Sequence, residues 1–289
     1  MAPPHAPAIH RFGKDTMNRV TATDQTKLYV KDWGSGRPVI LIHGWPLSAD
    51  SWDDQAMAIA DAGHRAISYD RRGFGRSSQP WNGYDYDTLA DDLAAVIEQT
   101  GARDAVLVGF SMGGGEVARY MSRHGGKSVV QAVLVSSVLP FRLKTDDNPA
   151  GTEQAAFDKT ALALNEDRPK FLAGFFRTFF GVDAARDPVS DELLAWARSV
   201  SMQAGLKATL ECLKSFSSTD FRSDLAAFKV PTLITHGTED ETVPIDASSR
   251  AAAKGIKHST LVEYDGAPHG LFATHKRRLT QDLLDFLGR

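Results

Sequence analysis

The sequence predicts an α/β fold in which helices cover both faces of a mainly parallel sheet. Three observations support this prediction. Short apolar runs alternate with amphipathic stretches of helical spacing along most of the chain, and such β-α alternation is typical of parallel sheets. The run Val39–Ile42 is apolar throughout, like a strand that is covered on both faces. A glycine-rich turn at 109–114 joins the apolar run Ala105–Val108 to a helical stretch.

The predicted elements follow one another in this alternating order. The strand segments are Leu28–Trp33, Val39–Ile42, Ala66–Tyr69, Ala105–Phe110, Val129–Val135, Pro231–Thr235 and Thr260–Tyr264. The helical segments are Ser51–Ala62, Leu89–Thr100, Glu116–Arg123 and Leu279–Leu287. The first strand alternates apolar and polar residues as an edge strand does, and a turn containing Gly34 and Gly36 follows it. Gly101 is expected to end the helix that begins near Leu89.

The stretch 142–218 contains no convincing strand. Its aromatic residues recur mostly at helical spacing and are Phe157, Phe171, Phe175, Phe176, Phe179, Phe180 and Trp196. We predict a helical cap at 142–218, inserted into an α/β core formed by 17–141 and 219–289. Most of the aromatics are expected to pack the cap onto the core, and the rest to line an apolar pocket. Residues 1–16 are expected to be a disordered tail.

Composition and charge exclude several functional classes. The net charge is −3 without a basic block, so nucleic-acid binding has no electrostatic support. No apolar run approaches the ~20 residues of a membrane helix, and the N-terminus lacks the apolar stretch of a secretory signal. The single cysteine, Cys212, excludes an internal disulfide, and no histidine pair has helical metal-site spacing. We expect a cytoplasmic protein without membrane contact, metal or other cofactor.

The segment Gly109-Phe110-Ser111-Met112-Gly113 has the pattern of a nucleophile elbow. In such an elbow the serine lies on a sharp strand-to-helix turn with a positive φ angle, and the glycines leave room for strand and helix to approach closely. The alternative, purely structural interpretation is a glycine-rich turn in which the serine has no catalytic role. Because a predicted strand precedes the motif and a helical stretch follows it, we predict that Ser111 is a nucleophile in acyl chemistry.

A serine hydroxyl needs a base, and the base needs a group that orients it. Proteins with this elbow place the acid and then the histidine after the serine in the chain. Asp240 follows the predicted strand 231–235 and His269 follows the strand 260–264, so both are expected at the edge where parallel strands end. Glu239 is a close rival for the acid, whereas Asp246 is expected to be the N-cap of a helix at Ala247.

An oxyanion site is expected from the backbone amides of Met112 and Trp45. Trp45 follows the strand 39–42, and its successor Pro46 has no amide hydrogen to offer. The histidines at 43 and 236 each precede a glycine at a strand end, so they are expected to brace loops. Asp70-Arg71-Arg72 is likewise expected to brace a loop, and 73–78 is a broken nucleotide-binding pattern that lacks its third glycine.

Taken together, the motifs resemble the α/β-hydrolase fold family, and within it the group of cofactor-free bacterial haloperoxidases, perhydrolases and aryl esterases. The segments that carry this resemblance are 29–34 (YVKDWG), 43–47 (HGWPL), 69–75 (YDRRGFG), 109–120 (GFSMGGGEVARY) and 267–270 (APHG). The resemblance covers nearly the whole chain from about Arg19 to Leu287. It implies an eight-stranded sheet, a helical cap after the sixth strand, and a catalytic triad of Ser111, Asp240 and His269.

The same resemblance implies hydrolysis of small esters through an acyl-enzyme, and perhydrolysis when hydrogen peroxide replaces water as the acceptor. The peracid formed in this way oxidises halide without metal or haem. Pro46 restricts Trp45 to extended geometry, which is expected to aim the Trp45 carbonyl at bound peroxide. The residues expected to contact substrate are Trp45, Pro46, Val138, Phe141, Phe175 and Phe179. The partners are thus a small ester or acid with water or peroxide, and members of the group also self-associate.

Other functions are compatible with the same three residues. An amidase, a lactamase or a carbon–carbon bond hydrolase would use the same triad under a different cap. Dehalogenase and epoxide-hydrolase activities are disfavoured, because they need a carboxylate nucleophile where Ser111 stands. A ligand receptor without catalysis is disfavoured because a pure binder has no need of an intact serine, acid and histidine set.

Overall fold

The computed structural model describes residues 18–183 and 185–288, in which a central sheet lies between two layers of helices. The predicted tail at 1–16 lies outside these residues. The strands, named β1 to β8 in chain order, are Arg19–Thr21, Lys27–Gly34, Pro38–Ile42, Arg65–Tyr69, Ala105–Phe110, Val129–Val135, Thr232–Gly237 and Ser259–Tyr264. The helices, named α1 to α9, are Asp53–Asp61, Tyr86–Gln99, Met112–Arg123, Gln154–Phe180, Asp191–Met202, Leu206–Ser218, Ser249–Gly255, Leu271–Thr274 and Lys276–Leu287.

The sheet has the strand order β1-β2-β4-β3-β5-β6-β7-β8. Strand β2 runs antiparallel to both of its neighbours, and the strands from β4 to β8 in this order pair in parallel. The expected eight-stranded, mainly parallel sheet is therefore confirmed. The expectation of an edge strand at Leu28–Trp33 is wrong, because Arg19–Thr21 pairs outside it. That outer strand escaped prediction because it is too short to show a pattern, with only Val20 buried.

Successive side chains of the central strands enter two separate apolar layers. Along β3, Val39 and Leu41 face one layer, and Ile40 and Ile42 face the other. Helices α1 and α9 pack in the first layer and helices α2 and α3 in the second. The strand therefore has no polar face, which explains its continuous apolar sequence.

Local sequence signals set the ends of several helices. The Asp85 carboxylate accepts a hydrogen bond from the Thr88 amide at 2.9 Å and begins α2, and Gly101 follows the helix with φ +65°. Asp246 does not begin a helix as predicted. Its carboxylate instead pairs with Arg250 at 2.8 Å, and α7 starts only at Ser249.

All four predicted helices begin at other residues in the structure, and α2 and α9 each begin three residues earlier than expected. The single helix expected over 51–62 is a short 3-10 helix, Ala49–Trp52, followed by α1. The helix expected from Glu116 begins four positions earlier, at Met112, directly after the predicted elbow serine. Glycines at 113–115 masked this first turn, because glycine has low helix propensity.

Helices α4, α5 and α6 lie between β6 and β7 in the chain. Helix α4 contains a kink at Asp167, whose φ of −153° is not helical and whose carboxylate caps the Lys170 amide at 3.0 Å. The two ends of this helical segment lie side by side. Phe141 and Asp220 form an antiparallel bridge, and the Phe221 amide donates to the Pro140 carbonyl at 2.9 Å. The division into a cap at 142–218 and a core stays a prediction.

Candidate active site

The elbow at Ser111 brings β5 and α3 unusually close together. Ser111 itself has φ +53° and ψ −116°, a backbone conformation that residues other than glycine rarely adopt. A Cβ at Gly109 would lie 2.5 Å from the Gly113 carbonyl oxygen, and a Cβ at Gly113 would lie 2.6 Å from that of Ile42. Both glycines are therefore required by close backbone approach rather than by their own φ angles. The turn presents the Ser111 hydroxyl at the carboxyl edge of the sheet.

Three side chains from distant parts of the chain meet at this edge. His269 Nε2 lies 2.9 Å from Ser111 Oγ, and His269 Nδ1 lies 2.6 Å from Asp240 Oδ2. Because a carboxylate can only accept, Nδ1 carries the proton and Nε2 accepts from the serine hydroxyl. The rival Glu239 points away and pairs with exposed Arg186. The geometry is that of a nucleophile, a base and an orienting acid.

Asp240 is held as a carboxylate by more than one neighbour. Burial alone would raise its pKa, but the His269 charge and hydrogen bonds from His236 and His269 lower that pKa well below its ordinary value. The amides of Thr242 and Val243 donate to Asp240 Oδ1 at 2.9 and 2.7 Å. A buried carboxylate with this many donors remains charged and can stabilise an imidazolium at His269.

His236 contacts the acid directly. Its Nε2 lies 3.0 Å from Asp240 Oδ2 and 2.8 Å from the Val243 carbonyl, and Nδ1 lies 2.7 Å from Ser249 Oγ. Since the Val243 carbonyl can only accept, Nε2 carries the proton and also faces Asp240. The expected loop-bracing role is correct, but the contact with Asp240 was not predicted. No sequence signal indicated this contact, because a spacing of four residues brings side chains together on a helix, whereas 236–240 spans a strand end and a turn.

Two backbone amides border the serine. Met112 is the first residue of α3, so its amide has no acceptor within the helix. Among the described residues, the Trp45 amide donates to no other group. The Trp45 side chain is fixed separately, since its Nε1 donates to the Thr209 carbonyl at 3.0 Å. Both amides are therefore available to an oxyanion, and their catalytic role stays a prediction.

A buried polar network lies beneath the loop that contains Trp45. Arg71 pairs with Glu116, and Tyr69 Oη donates to Glu116 Oε2 at 2.7 Å. The Arg71 amide donates to His43 Nε2 at 3.0 Å, and its guanidinium donates to the His43 carbonyl at 2.6 Å. Burial and the Arg71 charge keep the pKa of His43 well below its ordinary value, so His43 is neutral. The predicted loop-bracing role of His43 and Arg71 is thus observed.

The neighbouring residues of the 70–72 segment brace other loops. Asp70 accepts from the Ala49 amide at 2.9 Å and from the Arg76 amide at 2.8 Å. The Arg72 guanidinium pairs with buried Asp92 at 2.6 Å and with Asp24 at 2.7 Å. The charged side chains of this segment are therefore directed at protein groups, which agrees with its expected structural role.

A cavity of about 430 Å³ opens over the triad. Its lining includes Ser111 and His269 together with Trp45, Val138, Arg142, Thr152, Ala156, Phe157, Thr160, Phe171, Gly174, Phe175, Thr178, Leu213, Phe216, Glu241, Thr242, Val243 and Pro244. A larger depression of about 1120 Å³ elsewhere on the molecule contains none of the three triad residues. The smaller cavity is therefore the candidate substrate site.

The structure separates the expected substrate contacts into two groups. Trp45, Val138 and Phe175 line the cavity as predicted. The other three do not line it. Phe179 packs edge-on against the His269 ring at 4.8 Å, and Phe141 lies under the Arg222 guanidinium at 5.2 Å. Pro46 is buried but is not part of the cavity wall. Aromatic content alone did not distinguish cavity walls from packing contacts.

Neither a metal cluster nor a membrane-spanning helix is found within 18–183 and 185–288. Those residues contain no group of three or more histidine, cysteine, aspartate or glutamate side chains able to hold a metal ion. None of their helices is long and apolar enough to cross a bilayer. Burial raises the pKa of the Cys212 thiol to about 12, so this residue is an inert part of the core.

Known proteins share this fold and much of this sequence. Residues 37–276 match the family described as alpha/beta hydrolase fold. A putative non-heme chloroperoxidase of Synechocystis sp. is 45% identical over 261 residues, covering 90% of this chain and 94% of the relative. A bifunctional esterase/perhydrolase of Acinetobacter calcoaceticus is 41% identical, covering 94% and 99%. The crystal structure of bromoperoxidase from Bacillus anthracis has a TM-score of 0.89 and 43% identity, covering 93% and 99%.

Proposed function

This chain belongs to the α/β-hydrolase family, in its group of non-heme haloperoxidases, and from that membership we propose that it is a serine hydrolase of small carboxylic esters with perhydrolase activity. The observation that carries the proposal is the Ser111–His269–Asp240 chain of contacts at 2.9 and 2.6 Å, on a cavity with two available amides. The substrates proposed are aryl or alkyl esters or lactones. The bifunctional name of the Acinetobacter relative supports the pairing of the two activities.

Hydrolysis follows from the roles that the geometry supports. His269 Nε2 takes the proton of Ser111 as the hydroxyl oxygen attacks the ester carbonyl. The amides of Trp45 and Met112 stabilise the tetrahedral oxyanion, each contributing about 3–4 kcal/mol. The imidazolium, stabilised by Asp240, then protonates the departing alkoxide and leaves an acyl-enzyme. Water attacks this acyl-enzyme and gives one proton to His269. Collapse of the tetrahedral intermediate returns that proton to Ser111 and releases the acid.

Perhydrolysis differs only in the acceptor. Hydrogen peroxide attacks the acyl-enzyme, one peroxide proton passes to His269, and collapse of the tetrahedral intermediate returns that proton to Ser111 and releases a peracid. The peracid then transfers one oxygen to a halide ion and becomes the carboxylic acid again. No step of this sequence requires a metal or an organic cofactor.

Labelling by a fluorophosphonate tests the proposed nucleophile. The reagent should phosphonylate Ser111, because His269 Nε2 lies 2.9 Å from Ser111 Oγ and accepts its proton as the oxygen attacks phosphorus. Peptide mass spectrometry would locate the label, with the Ser111→Ala variant as the control. Absence of a label on Ser111 in the folded wild-type protein would contradict the proposal and favour a non-catalytic receptor.

Pro46 is proposed to favour peroxide over water. By restraining Trp45 it fixes the Trp45 carbonyl as an acceptor for the peroxide proton. Pro46→Leu should lower the ratio of perhydrolysis to hydrolysis by about two- to tenfold, the value of one modest hydrogen bond. The measurement compares peracid and acid formation from one ester in the same peroxide solution. Exposed Pro188→Leu is the control, and an unchanged ratio in Pro46→Leu removes the idea.

His236 is proposed to position the catalytic acid. His236→Leu should lower kcat about tenfold, because Asp240 loses a donor in a buried site. His236→Gln can still donate and should recover most of that loss. Rates on one aryl acetate would be compared at fixed pH, with Ser249→Ala as a control that removes only the contact to Nδ1. Equal losses in the leucine and glutamine variants would show that the hydrogen bond to Asp240 is not what matters.

A small ester with water or peroxide is thus the proposed set of reactants. Self-association of the chain and a cytoplasmic location stay predictions from the sequence. Gel filtration with light scattering would measure the first.

A further inference from the structure

Arg142 is a buried cation on the wall of the catalytic cavity. It lines the same cavity as Ser111 and His269 and is only 7% exposed. Its Nη2 donates to the Thr242 carbonyl at 3.0 Å, and its Nε has no hydrogen-bond partner among the residues that the structure describes. No carboxylate of any residue in 18–183 or 185–288 comes within 4.0 Å of this guanidinium. The charge is therefore held in the wall by a single backbone carbonyl.

An isolated buried charge of this kind is costly to the folded protein. Burial lowers the pKa of Arg142, and the nearby Asp240 charge only partly opposes this effect. Asp240 is already engaged by His269, His236 and two amides and forms no direct ion pair with Arg142, so its charge is shared among several cationic or donor groups. A guanidinium nevertheless stays protonated in proteins, so the cost persists until an anion arrives.

The surroundings of Arg142 favour one kind of anion. Most of the remaining wall is apolar, with Val138, Phe157, Phe171, Phe175, Leu213 and Phe216 among its side chains. Glu241 also lines the cavity, but it is exposed and forms no ion pair with Arg142. An apolar wall that surrounds one cation strengthens an ion pair with a ligand, because few water molecules screen it. Carboxylate matches the planar guanidinium particularly well.

We propose that Arg142 binds a carboxylate on the substrate, so that the preferred esters carry a second acidic group separated from the reacting carbonyl by a short apolar chain. This inference rests on the proposed ester hydrolysis and specifies its substrate class. The carboxylate can lie on the acyl side, as in half-esters of dicarboxylic acids, or on the alcohol side, as in acetoxy acids. The two kinds share the chemistry that Arg142 recognises.

Matched charged and neutral esters test the assignment. Monomethyl glutarate is compared with its monoamide for the acyl side, and 4-acetoxybutanoate with its amide for the alcohol side. In Arg142→Gln, the ratio of kcat/KM for the charged ester to that for the neutral ester should fall about tenfold or more, mainly through KM. Arg142→Lys should keep part of the preference. The pair whose ratio falls identifies the side of the scissile bond.

Arg168→Gln is the matched control. Arg168 also donates only to backbone carbonyls, those of Ala204 and Met202, but it does not line the cavity. Its substitution should leave both ratios unchanged. Equal ratios for wild type and Arg142→Gln with both ester pairs would overturn the proposal, since a purely structural Arg142 affects charged and neutral esters alike.

A binding measurement separates this inference from the proposed reaction. Glutarate and glutaramide are titrated calorimetrically into wild type and Arg142→Gln. Glutarate should bind wild type at least about tenfold more tightly than the variant, and glutaramide should bind both equally weakly. This binding result supports the carboxylate site even if neither ester is hydrolysed. A lack of hydrolysis would contradict the proposed reaction but not the carboxylate site. Equal glutarate affinity in the two proteins contradicts the site.

Discussion

Ser111→Ala should abolish ester hydrolysis, peracid formation and bromide oxidation together. All three activities are proposed to pass through one acyl-enzyme on Ser111 Oγ, which lies 2.9 Å from His269 Nε2. Without that oxygen no acyl group is held, and a loss on the order of 10⁶ in kcat is expected, as for nucleophile removal in other serine hydrolases. Initial rates with an aryl acetate, with acetate and peroxide, and with added bromide measure the three activities on one preparation.

A matched serine substitution separates chemistry from folding. Ser201→Ala removes another buried hydroxyl, in α5 and outside the cavity, and should keep the three rates close to wild type. Unchanged circular dichroism of Ser111→Ala would show that the fold persists. Bromide oxidation that survives in folded Ser111→Ala would mean that halide chemistry occurs at a different place from ester hydrolysis.

Glu116→Gln should lower the free energy of unfolding by about 3–5 kcal/mol, the typical cost of leaving one member of a buried ion pair alone. Burial alone would lower the pKa of Arg71, but the Glu116 charge raises it, and the net shift is upward. The Glu116 carboxylate therefore stabilises the buried Arg71 cation. The same carboxylate accepts from Tyr69 Oη at 2.7 Å. The glutamine keeps the shape but removes the charge, and urea titration of both proteins gives the difference.

An exposed pair provides the comparison. Glu211 pairs with Lys207 at 2.7 Å on the surface of α6, where both side chains are 36% exposed. Glu211→Gln should therefore cost only about 0.3–0.5 kcal/mol. If Glu116→Gln costs no more than Glu211→Gln, the buried network does not stabilise the loop that contains Trp45 in the way that its contacts indicate.

The parts of the molecule that follow from periodicity and strand ends were predictable. Continuous apolar runs gave the central strands because side chains on both sheet faces are buried. Ser111, Asp240 and His269 were predicted to meet because each lies at or shortly after the end of a strand, and the carboxyl ends of parallel strands share one edge. Their contacts agree with that expectation, whereas their catalytic roles stay predictions until variants are measured.

Features that depend on three-dimensional packing were not predictable. The strand Arg19–Thr21 has too few residues to show a period. The sequence gives no reason why Phe175 faces the cavity and Phe179 the His269 ring, since both belong to one aromatic run. Arg142 lies in a segment without a recognisable motif. Its importance could not be predicted from the sequence, because it follows from burial without an ion-pair partner in the folded structure.

The neighbouring ends of the segment that carries α4 to α6 leave the cavity wall free to vary. Because Phe141 and Asp220 are bridged and the Phe221 amide reaches Pro140, the strands before and after the segment are joined whatever lies between them. Loop-closure entropy changes only slowly with the length of such an excursion. The cavity wall contributed by α4 and α6 can therefore change in length and sequence at little cost in loop-closure entropy, while the strands that position Ser111, Asp240 and His269 stay joined.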